Sequence, residues 1–249
     1  MCKYLYVADI RIPAYGLMII LGIVLCNALA QLTLKNDLKK MQNYYLTEII
    51  SGLGAVIGAK MLTMFVDFCT KGEMPTSIEC FKKAGYSYYG GLAGFLLFAN
   101  ISCKLLKVDS RKFAQEYIYL LPILHMVWKI GCLMAGCCFG IPYDGTFSVC
   151  YAEGINSLAG IEVFPVQILE SIVALIIAGI LMILKKKVLS LNPVGTYLFL
   201  YGITRFFIEF LRYHDVDSFI SIAQICSIIS VVIGGTLIYK DFRRKMINE

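Results

Sequence analysis

The sequence predicts an all-α integral membrane protein. It is read as a single domain over 1–249, with seven transmembrane helices, the N-terminus outside and the C-terminus cytoplasmic. Three observations predict this. Of 249 residues, 59% are hydrophobic and 16% charged, with a mean hydropathy of +0.73. Soluble domains have about 45–50% apolar and about 25% charged residues. The apolar residues also gather into runs of bilayer-crossing length. Finally, Lys and Arg divide unevenly between alternate loops. The composition excludes a disordered chain, a fibrous protein and an ordinary soluble enzyme. It also argues against a nucleic-acid partner, because the net charge of +6 is dispersed between apolar runs.

The expected spans are near 14–34, 46–66, 88–106, 116–136, 165–184, 194–211 and 218–239. The first lacks a small-residue cleavage site and exceeds a signal h-region, so it reads as a retained helix. One set of connections and the tail hold Lys35, Lys39, Lys40, Lys104, Lys107, Arg111, Lys112, Lys185, Lys186, Lys187, Lys240, Arg243, Arg244 and Lys245. The opposite side holds Lys3, Arg11, Lys71, Lys82, Lys83 and Arg212. The richer side is expected to be cytoplasmic. The connections 67–87 and 141–164 are the expected places for non-helical structure. Their length suggests a working face toward the exterior.

Ten cysteines do not make a disulfide scaffold here, since that pattern belongs to short secreted chains. Cys26, Cys103, Cys132 and Cys226 lie in or beside apolar runs and read as small hydrophobes.

Ionisable groups inside hydrocarbon are costly and are site hypotheses by default. In the sixth span Tyr201, Arg205 and Glu209 follow at i, i+4 and i+8, so they share a face. Arg205 is always charged and must meet an anion: Glu209, another helix or a ligand. In the fourth span His125, Lys129, Cys132 and Gly136 share a face, and Gly131, Ala135 and Gly136 allow close helix approach. Lys129 is eleven residues from Gly140, about 16 Å along a continuous helix. It needs a lipid phosphate, Glu170 or Glu209 as partner. The Cys-x4-Cys-Cys spacing fits no tetrahedral zinc motif well, so no metal is expected. Cys137 or Cys138, at the outer edge, remains a candidate nucleophile. Lys60 follows Gly58-Ala59, where a neighbour can pack closely. Gln167 and Glu170 lie at i, i+3 behind Pro165, which suits a first helical turn. Gly90-Gly91 at a membrane edge gives a tight turn, a close backbone approach or ordinary helix packing.

In this order the motifs resemble the bacterial prolipoprotein diacylglyceryl transferases, over about residues 10–235. Arg11-x-x-Ala14-Tyr15-Gly16-Leu17-Met18 is similar to the family's Arg-x-x-Tyr-Gly-Leu-Met, with one extra residue. Gly58-Ala59-Lys60 stands for Gly-Ala-Arg. Ser87-Tyr88-Tyr89-Gly90-Gly91-Leu92-Ala93-Gly94 resembles Ser-Phe-His-Gly-Gly-Leu-x-Gly. The stretch from Lys129 through Gly131, Cys132, Ala135, Gly136, Cys137 and Cys138 to Gly140 resembles the signature Arg-x-Gly-Asn-Phe-x-Asn-Gly-Glu-x-x-Gly. Phe164-Pro165-x-Gln167-x-x-Glu170 resembles His-Pro-x-Gln-Leu-Tyr-Glu. Tyr201-Gly202-x-x-Arg205-Phe206-x-x-Glu209-Phe210-x-Arg212, with Asp215 following, matches the last motif nearly throughout. The departures are Tyr89 for His, Lys129 for Arg, Cys132 and Ala135 for Asn, Cys137 for Glu, Phe164 for His and Leu169 for Tyr. They mark a divergent member with a Gly-Cys-Cys-x-Gly signature.

The resemblance implies a multi-pass enzyme of the bacterial plasma membrane that uses no cofactor. It implies transfer of diacylglyceryl from phosphatidylglycerol to the lipobox cysteine of a preprolipoprotein signal peptide, with glycerol phosphate leaving. On this reading Arg205 and Lys129 bind the phosphate and Glu209 orients Arg205. Tyr15 and Tyr201 position the headgroup or glycerol backbone. Gly90, Gly91, Gly136 and Gly140 leave room at the outer mouth, and Cys132 and Glu170 line the substrate site. Tyr89 occupies the base position, although phenol is a poor base at neutral pH. His125, inside the membrane, is the other candidate base. The alternatives are a diverged lipid-binding protein without catalysis, and a transferase with another donor or acceptor.

Overall fold

The computed structural model describes residues 4–7, 10–34, 37–71, 85–152, 158–186, 191–214 and 220–248. Eight α-helices carry the fold among these residues: α1 (Ala14–Leu34), α2 (Leu38–Lys71), α3 (Tyr88–Leu105), α4 (Ser110–Tyr117), α5 (Leu120–Ala135), α6 (Val166–Lys186), α7 (Pro193–Ile208) and α8 (Ile222–Asn248). A 3-10 turn, Glu209–Leu211, follows α7.

Five of these are long and apolar enough to cross a membrane: α1, α2, α6, α7 with its 3-10 turn, and α8. The pair α4–α5, bent by 45°, makes a sixth if it is one broken span. The bend falls where the sequence suggests a continuous span. Pro122 has no N–H to give to the carbonyl of Ile118, and Leu121 closes a tighter bond to that oxygen at 3.1 Å. The expected span at 88–106 forms helix α3 but is not among the five. Its Tyr, Gly, Asn and Ser residues dilute its apolar content. The inside-out pattern suits hydrocarbon. Ile20, Leu32, Phe65, Ile172 and Val232 face outward, while Lys129, Glu170, Arg205 and Glu209 are buried.

Two small antiparallel sheets complete the structure. The first, β1 (Tyr4–Val7) with β2 (Ile10–Pro13), lies outside the connections where non-helical structure was expected. The second, β3 (Val149–Cys150) with β4 (Glu162–Val163), lies within the expected connection 141–164. Of the other, 67–87, residues 72–84 lie outside the described residues.

The chain falls into two compact units, Met1–Thr33 with Ala114–Glu249, and Leu34–Phe113. In the smaller unit α2 and α3 pack through glycines. A Cβ at Gly90 would run into the Gly58 carbonyl, and one at Gly94 into that of Gly54. Thr47 and Ser102 share a hydrogen bond of 3.1 Å across the same pair. In the larger unit α5, α6, α7 and α8 pack in sequence order. The Ser171 hydroxyl donates to the Met126 carbonyl at 3.1 Å, and Ser230 to that of Leu198 at 3.1 Å. Small residues and hydroxyls of this kind hold helices together where lipid leaves no hydrophobic driving force. Asn192 caps α7 by accepting from the Gly195 N–H at 2.9 Å, and Pro193 opens the helix at the position that tolerates it.

Candidate active site

The larger unit gathers the charged residues of three helices into one buried cluster. Lys129 of α5 pairs with Glu170 of α6. Glu170 also meets the Arg205 guanidinium of α7 at 3.3 Å. Arg205 reaches Glu209 with its other nitrogen at 2.5 Å. Glu209 further meets Arg212 at 3.7 Å and His214 at 3.4 Å, and accepts from the Ser221 hydroxyl at 3.0 Å. Lys129, Glu170, Arg205 and Glu209 are each at most 8% exposed.

The pairings explain why the charges are tolerated. Arg205 presents a planar fork with donors on two edges, so one guanidinium spans two carboxylates. Its spacing of four residues from Glu209 brings those side chains together on one face. Lys129 and Glu170 come from separate helices, and no local spacing joins them. Among the described residues the cluster sets Lys129, Arg205 and Arg212 against the carboxylates of Glu170 and Glu209.

A small cavity beside the cluster is lined by His125, Glu170, Tyr197, Tyr201 and Arg205, among others. Tyr201 is buried and stacks on Tyr197 at 5.9 Å, with His125 tilted against it at 5.5 Å. His125 also stacks on Trp128 at 5.1 Å. Both candidate residues thus reach the cavity. Tyr15 is 39% exposed at the start of α1. Its backbone sits against Gly131, where a Cβ would come within 3.3 Å of the Tyr15 Cα.

The signature turn departs from a continuous helix. Helix α5 ends at Ala135 and Gly136 adopts a left-handed conformation, φ 69°. Lys129 is therefore six residues, about 9 Å, from its helix end rather than the expected 16 Å from Gly140. Glycine suits this C-terminal position because it has no Cβ to clash. The reversal carries Cys137 and Cys138 back over Cys132, and the three sulfurs lie within 4.8 Å of one another. Cys138 also takes a positive φ of 58°, a strained conformation for a residue with a side chain. The Cys137 S–H points to the Cys132 carbonyl at 3.7 Å. Hydrogen bonds from Cys132 and Cys137 lower the Cys138 thiol far below the usual thiol range, with Lys129 and Arg212 adding to the effect. For Cys137 the bond from Cys132 acts downward. The bond to Cys138 and burial outweigh it and push that thiol up to about 11.

Gly140 shows why the signature ends in glycine. A Cβ there would lie 2.5 Å from the Phe164 carbonyl oxygen and 2.8 Å from that of Leu211. Its N–H donates to Phe164 at 3.1 Å, and it bridges to Arg212 across an isolated β-type contact. Gln167 ties the turn to α6 by donating to the Cys137 carbonyl at 2.8 Å and to the Tyr151 hydroxyl at 3.1 Å. Burial pushes the Tyr151 phenol up to about 12, so it stays neutral.

The family's sequence profile, prolipoprotein diacylglyceryl transferase, matches residues 3–240. The chain belongs to the prolipoprotein diacylglyceryl transferase family. Among its similar relatives is a phosphatidylglycerol–prolipoprotein diacylglyceryl transferase of Clostridium tetani. It is 26% identical over 95% of this chain and 96% of its own length. The second such transferase of Clostridium perfringens is 29% identical over 92% and 91%. That of Clostridioides difficile is 27% identical over 96% and 94%. Members of this family are transferases of the diacylglyceryl group.

Within the transferase family's motif order, the structure brings Lys129, Glu170, Arg205 and Glu209 together, with His125, Tyr201, Cys132, Gly136 and Gly140 in the same unit. Tyr89, Gly90 and Gly91 belong to the smaller unit. There Tyr89 meets Tyr88 edge to face at 5.8 Å, and Lys60 lies over the Tyr86 ring at 4.6 Å. Gly90 is packed against α2, the helix-packing alternative of the sequence reading, whereas Gly91 has its nearest α2 neighbours at 3.5 Å. Asp215 lies outside the described residues. Sequence reasoning missed the part played by Arg212, His214 and Ser221 around Glu209. Arg212 stood in the quoted motif, but nothing local marked His214 or Ser221. It also missed the convergence of the three cysteines, for which the glycine after the last helical residue was the available signal.

Proposed function

We propose that this protein transfers the diacylglyceryl group of phosphatidylglycerol to the lipobox cysteine thiol of a preprolipoprotein, releasing glycerol phosphate, in the plasma membrane of a bacterium. The observation that carries the reading is the convergence of Lys129, Arg205 and Arg212 on Glu170 and Glu209 in one cluster. Cations gathered in this way are complementary to a phosphodiester. As the bond to the leaving phosphate breaks, charge grows on its oxygens. Cations held in place in a water-poor setting stabilise that growth without reorganising.

Glu170 and Glu209 hold the two bridging cations in position and prevent an excess of buried charge. Tyr201 and Tyr197 supply the wall against which the glycerol backbone lies, and His125 closes the cavity's inner side. Tyr15 belongs to the outer mouth, through which the acceptor enters, while Gly136 and Gly140 shape the signature turn. The proposed topology has seven spans, α3 included, in a single integral domain with the N-terminus outside and the C-terminus cytoplasmic. The distribution of Lys and Arg supports that orientation.

The test is glycerol phosphate release by the purified protein in phosphatidylglycerol micelles with a lipobox peptide. Release should require the peptide thiol and be lost in Arg205→Ala. Equal release from Arg205→Ala, or release indifferent to the peptide, refutes the reading.

A further inference from the structure

The transferase reading asks how the acceptor thiol is activated, for which His125 is one candidate. The acceptor sulfur must attack as a thiolate. At the position where the resemblance places a histidine, this chain has Tyr89. The signature instead contains the three thiols of the Cys-x4-Cys-Cys pattern.

Their arrangement has the features of a ligand set. Cys132 is buried on the last turn of α5, and Cys137 and Cys138 are half-buried beyond the left-handed Gly136. All three sulfurs lie within 4.8 Å of one another. Zinc–sulfur bonds of about 2.3 Å at tetrahedral angles place sulfurs about 3.8 Å apart. Closing the set therefore takes a shift of about 1 Å, within reach of small side-chain rotations. The scaffold is held from several sides. Gln167 fixes the Cys137 carbonyl, Gly140 is locked against Phe164 and Leu211, and Cys138 accepts a strained backbone to keep its place. A disulfide would use two sulfurs and leave the third unexplained.

We propose that Cys132, Cys137 and Cys138 form a three-thiolate site for a zinc-class divalent ion, whose open fourth position takes the acceptor thiol. The metal role rests on geometry alone, whereas the role of the fourth position rests on the transferase reading. A catalytic zinc site keeps one position open, and a coordinating thiol is deprotonated outright. The acceptor's proton goes to solvent as its sulfur binds. The bound sulfur attacks the glyceryl methylene carbon of the donor. The C–S bond forms and the C–O bond to phosphate breaks. Glycerol phosphate leaves with the electron pair, and its added charge is met by Lys129 and Arg205.

The test begins with metal content, measured on protein purified under reducing conditions. One zinc per chain is expected in the wild type, and none in a variant with all three cysteines changed to Ser. Cobalt replacing zinc should give thiolate-to-metal charge-transfer bands. Adding the lipobox peptide should shift the cobalt d–d bands, and a peptide with Cys→Ser should not. No stoichiometric metal, or a disulfide within the trio under the same conditions, overturns the site. Metal present with bands indifferent to the peptide thiol overturns the acceptor role. Glycerol phosphate release is measured separately. Full release by the triple Cys→Ser variant overturns the inference and leaves the transferase reading intact. Metal-loaded wild type that binds the peptide thiol but releases no glycerol phosphate counts against the transferase reading alone.

Discussion

Replacing Glu170 by Gln tests the cluster where it is most tightly balanced. Glu170 is the one described group seen to join Lys129 to Arg205, and its side chain is 3% exposed against 10% and 7% for its partners. Gln keeps the volume and removes the charge. Lys129 and Arg205 are then left beside a neutral amide. Removing one partner of a buried pair costs about 3–5 kcal/mol, because the remaining charge stays desolvated. The loss should appear in full in micelles of neutral lipid. In phosphatidylglycerol micelles the bound anion stabilises the wild type by mass action, and the variant, which has lost a competing carboxylate, by at least about 1 kcal/mol more. The assay is the unfolding free energy of wild type and Glu170→Gln in both micelles, with Glu170→Asp as a second variant that keeps the charge. A loss below about 1 kcal/mol in neutral lipid refutes the claim that Glu170 compensates buried cations. A wild type no more stable in phosphatidylglycerol than in neutral lipid refutes the claim that the cluster receives a lipid phosphate.

Three further outcomes follow from the same geometry. Arg205→Lys keeps the charge but cannot span Glu170 and Glu209. Glycerol phosphate release should fall by about 10²–10³, with the unfolding midpoint showing the fold retained. A fall of less than about tenfold would deny the bridging role. Gly90→Ala drives a methyl into the Gly58 carbonyl and should destabilise by about 1–3 kcal/mol, while Gly91→Ala, with neighbours at 3.5 Å, should be within about 0.5 kcal/mol of wild type. Denaturant titration of both variants decides it, and equal effects would place the α2–α3 contact elsewhere. Cys138→Gly removes a side chain from a left-handed position and should stabilise the metal-free protein by about 1 kcal/mol while abolishing metal binding. Thermal unfolding in chelator checks the first half and metal content the second.

What was legible in the sequence was whatever depends on short-range order. Helices α1, α2, α6 and α8 were visible because the lipid demands long apolar runs, and such runs have few readings. The Arg205–Glu209 pair was visible because four residues on a helix bring side chains together. The motif order made the family legible over most of the chain. The bend between α4 and α5 was harder to see, because Pro122 lies inside an otherwise uninterrupted apolar run.

Only the tertiary structure decided which charge meets which. Lys129 had Glu170, Glu209 and a lipid phosphate as open partners, and packing of α5 on α6 selected Glu170. It also decided the fate of the signature cysteines. Their linear spacing fits no zinc motif, yet one left-handed residue at Gly136 folds the chain back on itself and brings three sulfurs together. The physical reason is common to both. Apolar content and helical periodicity are local properties that a window of sequence contains. Ion pairs between helices and ligand sets across a turn depend on where the backbone goes between them, and no local window contains that path.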